Sequence, residues 1–522
     1  MFRRLLPIVA VSLGVHAAEA QQTLTILHTN DVHDRYEPIS GSDSTCAPDK
    51  NAAGECLGGT ARLVTALAAA RARNPDALFL DGGDQFQGSL FYTFYKGRMT
   101  AEVMNKLGYD AMTLGNHEFD DGPAVLRDFV EAVAFPVLMA NGDVSAEPLL
   151  AGRIPKSTVI ERAGMRIGLI GLAPQSTDEL ASPGPNVTFS DPVGAVQAEV
   201  DALTAQGIDR IVVLSHSGYT VEKRLAAETT GVDVIVGGHS HSYLSSTDDA
   251  AEGPYPTMVG KTAIVSAQAY GKYLGELTVV FDDAGEVVSA TGAPLLLDAA
   301  VAEDAATVAR IAELAGPLEE IRSRVVAEAA GAIDGRRELC RSAECPMGNL
   351  IADAMLDRVR DQGIQIAIQN GGGIRASIDA GPVTMGEVLT VLPFQNTLST
   401  FRVTGAVVLA ALENGLSQIE EGAGRFPQVA GMTYAFDAGA PAGARVSDVR
   451  VDEGGAWMPL DPAKVYGVVS NNYVRRGGDG YAMFVDAADA YDFGPDLADV
   501  TAAYLAGKAP YTPRVDGRIT AK

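Results

Sequence analysis

The stretch DAMTLGNHEFD, residues 110–120, places a short β-prone apolar run directly before a cluster of polar side chains that could carry chemistry. The same order recurs four more times before residue 245: LTILHTNDVHD (24–34), ALFLDGGDQFQG (77–88), RIVVLSHSG (210–218) and VDVIVGGHSHS (232–242). Short runs of Val, Ile and Leu bounded by glycine and polar residues are typical of buried strands. Five strands are therefore predicted, each followed at once by His, Asp or Asn with glycine.

The segments between these runs have the apolar spacing of helices. Clear cases are GGTARLVTALAAARAR (58–73) and GPAVLRDFVEAVA (122–134). Strands that alternate with helices predict an α/β domain. In such a domain the loops that leave the carboxyl ends of the strands converge on one edge of the sheet. The five polar clusters are therefore expected to meet in one place.

The chain of 522 residues, 47% of them hydrophobic, is long enough for two or three domains. The five clusters place the first domain at residues 21–298. Residues 299–326 are rich in Ala, Glu and Leu at helical spacing and predict a helical linker, which Pro317 kinks or interrupts. Strand-like segments and a helical stretch at 347–359 then predict a second, mixed α/β domain over residues 327–522.

The first twenty residues, 1–20, have the order of a secretory signal peptide. Arg3 and Arg4 form its charged start, LLPIVAVSLGV (5–15) its apolar stretch and AEA (18–20) a small-residue cleavage site. The apolar stretch is too short to span a bilayer, and no later run of ~20 apolar residues exists. We expect a soluble protein that is periplasmic or secreted; a retained N-terminal anchor is the alternative.

The formal net charge of −26 restricts the partners of the chain. Strong negative charge disfavours long-range attraction of a nucleic acid polymer or an anionic membrane. An anionic substrate must then be bound locally, by metal ions or by well-placed arginines. A small molecule is the expected partner, and the sequence does not reveal the oligomeric state.

All four cysteines lie in the predicted exported part, as Cys46 with Cys56 and Cys340 with Cys345. Four cysteines permit three connectivities, and closeness in sequence favours these two local pairs. An oxidising compartment favours disulfides over the alternative, in which Cys340 and Cys345 bind a metal.

The histidines concentrate in the five clusters. Of seven, His16 lies in the predicted signal peptide, His28 precedes the first cluster, and the other five lie inside clusters. The candidate metal ligands in these clusters are Asp31, His33, Asp84, Asn116, His216, His239 and His241. His28 is interpreted as a buried, hydrogen-bonded support.

Imidazole, carboxylate and amide groups together suit zinc or manganese, and the absence of cysteine from the clusters argues against a structural zinc site. Seven ligands exceed the needs of one catalytic ion. Two ions ~3.5 to 4 Å apart that share a carboxylate fit the number, and such pairs suit in-line displacement at phosphorus. Each cluster alone would also be compatible with a glycine turn; their repetition in order at strand ends favours the metal site.

LHTNDVHD, GGDQFQGS, GNHEFD, SHSG and GGHSH resemble the motifs of calcineurin-type dinuclear metallophosphoesterases. The whole mature chain resembles the exported 5'-nucleotidase family, which includes bacterial UDP-sugar hydrolases and animal ecto-5'-nucleotidases. The resemblance implies an N-terminal metallophosphoesterase β-sandwich with flanking helices and a mixed α/β C-terminal 5'-nucleotidase domain. It also implies two divalent ions, zinc first, with manganese or cobalt as alternatives.

The resemblance also assigns roles to the residues of the clusters. It implies that Asp31, His33 and His241 bind one metal, that Asn116, His216 and His239 bind the other, and that Asp84 bridges the two. His117 and Asp120 resemble the family's catalytic dyad, in which the imidazole stabilises the transition state while a metal-activated water attacks.

The motifs CRSAEC, NGGGIRASI, LPFQNT and NNYVRRGGDGY resemble the family's nucleotide-binding half. The implied phosphate ligands are Arg341 and Arg375, the implied base and ribose contacts are Asn370 and Asp479, and the implied base clamp is Phe394 with Tyr473. Stacking between two rings tolerates different bases. Broad base specificity is therefore expected.

The leading hypothesis is a hydrolase of nucleoside 5'-monophosphates that releases nucleoside and phosphate. The enzyme alternatives are hydrolases of nucleoside di- or triphosphates, UDP-sugars or dinucleotides, 2',3'-cyclic phosphodiesterases, and thiosulfohydrolases. Asp120 favours the nucleotidase branch over the cyclic phosphodiesterases, and the base clamp disfavours the sulfur enzymes. A non-catalytic nucleotide-binding protein is disfavoured because the metal ligands and the dyad are all present. The resemblance also implies that the second domain swings to carry nucleotide onto the metals.

Overall fold

Two six-stranded sheets packed face to face form the first half of the chain. The computed structural model describes residues 21–41, 43, 46–492 and 494–522, so the predicted signal peptide at 1–20 lies outside the described residues. The strands of this half are β1 Gln22–Thr29, β2 Leu78–Asp81, β3 Ala111–Thr113, β4 Val137–Leu138, β5 Gly142–Asp143, β6 Ser157–Arg162, β7 Met165–Leu172, β8 Thr188–Phe189, β9 Ile211–Ser215, β10 Val234–Gly237, β11 Thr257–Val259, β12 Thr262–Val265, β13 Tyr273–Phe281 and β14 Val287–Leu296.

The strand order is β14-β13-β1-β2-β3-β4 in the first sheet and β11-β12-β10-β9-β7-β6 in the second. Strands β1 to β4 pair in parallel, and so do β7, β9, β10 and β12. All five predicted strands are present, and each ends where its polar cluster begins. The carboxyl ends of these parallel strands carry the clusters to one edge of the sandwich, as the sequence predicts.

Alternation along the strands separates two layers of core. In β1, Leu24 and Ile26 point between the sheets, whereas Leu27 packs under the outer helices. In β2, Leu78 and Leu80 likewise point between the sheets, and Phe79 packs under the outer helices. The sandwich is therefore buried on both faces, which explains why these strands are apolar throughout.

The helices of this half cover the outer faces of the sandwich. They are α1 Pro48–Ala52, α2 Thr60–Arg73, α3 Leu90–Tyr95, α4 Gly97–Leu107, α5 Gly122–Ala132, α6 Thr177–Leu180, α7 Pro192–Thr204 and α8 Tyr219–Glu228. Helices α2, α4 and α5 pack on the first sheet, and α7 and α8 pack on the second. The helices predicted at 58–73 and 122–134 are confirmed as α2 and α5.

The linker region contains two helices, separated by a turn at Pro317. Helix α9 covers Ala305–Ala315, a 3-10 turn follows at Gly316–Leu318, and α10 covers Glu319–Arg322. Pro317 lies within the turn, where its missing N–H and fixed φ interrupt the α-helix. The chain then enters a strand at Val325, within the last two residues of the predicted linker.

The second half is a mixed α/β unit. Its strands are β15 Val325–Ala329, β16 Ile366–Asn370, β17 Gly381–Thr384, β18 Leu398–Thr404, β19 Pro427–Ala430, β20 Met432–Phe436, β21 Val446–Asp452, β22 Trp457–Pro459, β23 Val465–Asn471, β24 Ala488–Tyr491 and β25 Ile519–Ala521. Its helices are α11 Arg337–Cys340, α12 Pro346–Val359, α13 Met385–Val391, α14 Gly405–Leu416, α15 Asn472–Arg475 and α16 Leu497–Gly507.

A five-stranded sheet in the order β19-β16-β23-β18-β24 forms the centre of this half, with α12 on one face and α14 on the other. A second sheet has the order β22-β21-β20-β25. These findings confirm the predicted α/β class and the two-part architecture. None of the helices in the described parts of the chain has the length and apolar character that crossing a bilayer requires.

Candidate functional site

The loops that follow the five strands carry their polar residues in an unusual backbone conformation. Asp31, His33, Asp84, His239 and His241 all have positive φ, between 51° and 71°. Non-glycine residues rarely adopt this region, and such strain persists only where the surrounding structure enforces it. These five strained residues lie in the short loops that aim side chains inward from the strand ends, which is where sites of binding or catalysis concentrate strain.

Close contacts between the loops explain their glycines. A Cβ at Gly115 would overlap the Asp84 carboxylate, and one at Gly238 would lie 2.6 Å from the Gly82 carbonyl oxygen. Backbones can approach this closely only where no side chain intervenes. The glycines in GGD, GNH and GGH therefore allow the loops to bring their neighbouring His, Asp and Asn side chains into one cluster.

Six of the seven candidate metal ligands gather in two adjoining groups. Asp31, His33 and His241 form one, with Asp31 Oδ1 3.2 Å from His241 Nε2. Asp84, His216 and His239 form the other, with His216 Nε2 2.9 Å from Asp84 Oδ2. Asp84 also lies 4.0 Å from His33, so its carboxylate faces both groups. Asn116 lines the same cavity.

The donor atoms of this cluster fit divalent cations. Nε2 of His33 and Nε2 of His241 are 3.1 Å apart. Burial, reinforced by nearby arginines, lowers the pKa of both imidazoles well below the ordinary value, so two neutral rings face each other. Asn116 Oδ1 is buried without a hydrogen-bond partner, and His216 Nε2 faces the Asp84 carboxylate. Lone pairs that converge in this way are satisfied by a shared cation.

The electrostatic field at the cluster also favours a cation. Burial by itself would lower the pKa of His216, but the Asp84 and Asp31 carboxylates outweigh it and raise that pKa to about 10. A positive charge at this point is therefore strongly stabilised by the two buried carboxylates.

His117 and Asp120 form a hydrogen-bonded pair beside the metal-ligand groups. His117 begins a 3-10 turn directly after Asn116, and its Nδ1 lies 2.7 Å from Asp120 Oδ2. Its backbone N–H donates to Asp84 Oδ1 at 2.9 Å. Burial by itself would lower the pKa of His117, but Asp120 and Asp84 reverse the shift and raise it. Because Nδ1 of His117 is bonded to Asp120, its Nε2 faces the cavity and lies 3.9 Å from Asp84 Oδ2.

The predicted substrate residues of the second half line the same cavity, whose volume is about 1200 Å³. Arg375 Nη2 lies 3.2 Å from His33 Nε2. Asn370 Nδ2 donates to Asp479 Oδ2 at 2.7 Å, and the Tyr473 hydroxyl donates to Asp479 Oδ1 at 3.0 Å. The cavity thus brings together the metal-ligand groups, the dyad and all six predicted substrate residues, Arg341 and Phe394 included.

Arg341 is held in a short loop closed by a disulfide. Cys340 and Cys345 are bonded, and Cys46 and Cys56 form the second bridge, so both predicted pairs are present. Arg341 is buried, and its Nε has no hydrogen-bond partner. A buried guanidinium with an unsatisfied donor lining a cavity is suited to bind an anion.

Arg337 is a site residue that the sequence analysis missed. It lines the cavity with Arg341 and Arg375, and its Nη2 donates to the His239 carbonyl oxygen at 3.1 Å. Burial and the Arg375 charge lower its pKa. Its position four residues before Arg341, one helical turn away, was the available signal.

Glu118 and Glu222 support the loops from behind. Glu118 accepts hydrogen bonds from the backbone N–H groups of Asp84, Gln85, Phe86 and Gly115, at 2.7 to 3.2 Å. Glu222, on α8, accepts one from Gly238 at 3.2 Å. Both side chains are buried. Glu118 thus ties the GGD loop to the GNH loop, a role that the sequence did not indicate.

His28 lies away from the metal-ligand groups. It is fully buried, and its Nε2 is 2.8 Å from the Tyr255 hydroxyl. Burial lowers its pKa to about 3. This placement agrees with its interpretation as a buried, hydrogen-bonded support.

Comparison with known proteins gives matches over both halves. Residues 24–243 match the family model for calcineurin-like phosphoesterases, and residues 325–486 match that for the 5'-nucleotidase C-terminal domain. A 5'-nucleotidase of Diplobatis ommata is 38% identical over 539 residues, which cover 98% of this chain and 91% of that protein. A 5'-nucleotidase of Homo sapiens is 36% identical, and the match covers 95% of this chain and 90% of that protein.

A solved structure, that of a 5'-nucleotidase precursor from Thermus thermophilus, superimposes with a TM-score of 0.91. It is 43% identical, and the match covers 96% of this chain and 99% of that one. Family models over both halves, together with relatives well above 30% identity along nearly the whole length, lead to one conclusion. The chain belongs to the 5'-nucleotidase family and is a metal-dependent phosphoric monoester hydrolase.

Proposed function

We propose that the protein is an exported 5'-nucleotidase that hydrolyses nucleoside 5'-monophosphates such as AMP to nucleoside and phosphate. The observation that carries this proposal is that one cavity joins the metal-ligand groups to the aromatic clamp, with His117 between them. A phosphate at the metal-ligand end and a base at the clamp would then belong to the same molecule.

The proposed metal ligands are Asp31, His33 and His241 for one ion, Asn116, His216 and His239 for the other, and Asp84 between them. Zinc is the first candidate, and manganese and cobalt are the alternatives. When bound, such a pair acidifies a water for attack on phosphorus and polarises the phosphate oxygens.

The chain's own polar groups are proposed to bind and stabilise the phosphate. Arg341 and Arg375 supply positive charge that the acidic chain otherwise lacks, and a guanidinium can contact two phosphate oxygens at once. Asp120 accepts from Nδ1 of His117 and so fixes its orientation, which leaves Nε2 to stabilise the developing charge and to donate a proton to the leaving oxygen.

The base and ribose are proposed to bind at the far end of the cavity. Phe394 and Tyr473 stack on the two faces of the base, Asn370 contacts its edge, and Asp479 accepts from the ribose hydroxyls. Asp479 is held in place by Asn370 and Tyr473, which supports a fixed acceptor at this point. Stacking of this kind does not discriminate strongly between bases.

Hydrolysis of nucleoside di- or triphosphates is a second candidate function. The observation that favours it is Arg337, a third arginine that lines the cavity next to Arg341 and Arg375. Three guanidinium groups repel one another unless an anion compensates them, and a phosphate chain supplies more compensating charge than a single phosphate does.

The location and domain limits are part of the proposal. The order of residues 1–20 and the two disulfides support export to the periplasm or medium. The proposed domains are residues 21–298 and 327–522, joined by the linker at 299–326.

The test is hydrolysis of AMP, UMP, ATP, UDP-glucose and 2',3'-cyclic AMP, each with zinc, manganese or cobalt, monitored by the release of phosphate and by separation of the nucleoside and nucleotide products. We expect the highest kcat/KM with the monophosphates and complete loss of activity with a chelator. Release only from ATP or UDP-glucose would transfer the main function to the second candidate. Absence of release from every nucleotide would refute the nucleotidase proposal.

A further inference from the structure

Phe394 contacts two groups besides the space for a base. Its ring stacks on the His117 imidazole, with 5.6 Å between ring centroids and an interplanar angle of 23°. The Arg375 guanidinium carbon lies 5.6 Å from the centroid of the same ring. One ring therefore touches both the imidazole and the arginine that are proposed to act on the phosphate.

The backbone around Phe394 fixes this position. The ring follows Pro393 at the end of α13, and the backbone N–H of Arg375 donates to the Val391 carbonyl oxygen at 3.0 Å. Phe394 and Arg375 therefore move as one unit of the second half. His117 belongs to the first half, so the stack forms only when the two halves are in the arrangement seen here.

The hydrogen bond to Asp120 leaves the His117 ring one rotational degree of freedom. That bond holds Nδ1 at 2.7 Å but permits the ring to rotate about the bond direction. The Phe394 face restricts this rotation, because it packs against the imidazole in an offset stack, one of the favoured geometries for a pair of rings. Phe394 then sets the imidazole plane, and with it the direction of Nε2, together with the edge contact of His117 to His33 at 5.3 Å between ring centroids.

We propose that Phe394 is a positioning residue for His117 in addition to its place in the base clamp. Docking of the second half orients the imidazole and brings Arg375 to the phosphate in the same movement. The ring thereby couples arrival of the nucleotide to assembly of the catalytic groups. This inference rests on the proposed function and goes beyond base stacking.

The test uses ribose 5-phosphate, which has the phosphate and ribose but no base to stack. Phe394→Leu is expected to lower its turnover by about tenfold, because a small misorientation of a catalytic group costs one to two orders of magnitude. Phe394→Tyr keeps the ring and should restore most of the rate. Tyr473→Leu removes the opposite ring of the clamp, which is hydrogen-bonded to Asp479. It should lower the turnover of AMP more than that of ribose 5-phosphate.

A second measurement does not require turnover. In the zinc-loaded protein with 13C-labelled histidine, the His117 Cε1–H resonance, assigned with His117→Asn, should shift in Phe394→Leu because the ring current is lost.

Wild-type turnover of ribose 5-phosphate by Phe394→Leu, with only KM for AMP raised, would overturn the inference and leave the nucleotidase function intact. An unshifted His117 resonance would overturn it as well. If the wild type released phosphate from no nucleotide, the proposed function itself would fail, which is a different result.

Discussion

Asp120 and His117 carry the most direct prediction at the scale of single residues. Removal of the imidazole by His117→Ala should lower kcat for AMP by about 10²- to 10⁴-fold at saturating zinc, the usual contribution of a positioned acid or base. Asp120→Asn should cost about 10- to 100-fold, because it loosens a ring that remains present. Asp128→Asn, an exposed carboxylate on α5, is the matched control. Full turnover in His117→Ala would remove the dyad from the mechanism.

His28 gives a prediction for stability against pH. Its folded-state pKa of about 3 lies below the ordinary 6.5, so the unfolded chain binds more protons between these values. Its contribution to stability is complete above about pH 6.5 and is lost as the pH falls towards 3, by about 1.4 kcal/mol per pH unit. His28→Gln removes the titration and can still bond to Tyr255. The difference in unfolding free energy between wild type and variant, measured by urea denaturation from pH 8 to 5, should stay constant down to about pH 6.5 and then move in favour of the variant. A difference independent of pH would contradict this.

The sequence predicted site residues where the local pattern itself carried the information. Asp84, Asn116 and His216 each lie within three residues of a strand end, so their position at the converging edge could be foreseen. Glu222 could not be foreseen, because its role depends on a backbone N–H sixteen residues later, at Gly238. Long-range contacts of this kind leave no periodic signal in the chain.

At the scale of elements, helix α8 braces the GGHSH loop and yields a prediction on metal binding. The Glu222 carboxylate lies against Gly237, where any Cβ would overlap it, and accepts from Gly238. Glu222→Ala leaves that buried N–H unsatisfied and frees the loop that carries His239. Zinc affinity, measured by competition with a chelator, should fall about 10- to 100-fold, as for other outer-shell partners.

Two variants of α8 provide the comparison for this experiment. Glu222→Gln retains the shape and an acceptor oxygen, so its loss should be smaller. Glu228→Gln, at the exposed end of the same helix, should keep the wild-type affinity. Equal zinc affinity in Glu222→Ala and wild type would show that α8 does not support the metal ligands.

A helix or strand could be predicted from the sequence where its apolar residues repeat at a clear helical or strand period. Helix α2 shows helical spacing and begins directly after Gly59, whose φ of +88° ends the preceding turn. Strand β4 has only two residues, Val137–Leu138, and its place in the first sheet depends on pairing with β3 rather than on an alternating pattern. The break at Gly316–Leu318 was indicated by Pro317, but the exact ends of α9 and α10 were not.

At the scale of the whole molecule, charge and cavity act together. The chain carries a formal charge of −26, yet three arginines line one cavity, with Arg341 and Arg375 buried and Arg337 half-buried. Attraction of a nucleotide is therefore local and acts only once the anion has entered, in a region shielded from salt. Both halves line this cavity, which means that the relative position of the halves decides whether an anion can enter.

The arrangement seen here would hinder substrate entry if it were rigid, and this leads to the last prediction. Arg375 contacts His33 directly and so narrows access to the metal-ligand groups, and we expect the halves to separate for a phosphate to enter. Lys50 and Asp379 form an exposed ion pair at 2.9 Å that joins the halves. A short thiol crosslinker between Lys50→Cys and Asp379→Cys should lower kcat at least tenfold, because exchange of substrate and product is then slowed.

The described residues contain no free cysteine to compete for the crosslinker. The two single-cysteine variants treated with the same reagent are the controls, since an exposed ion pair contributes little by itself. Crosslinked enzyme that turned over AMP at the wild-type rate would show that nucleotide reaches the cavity without any separation of the halves.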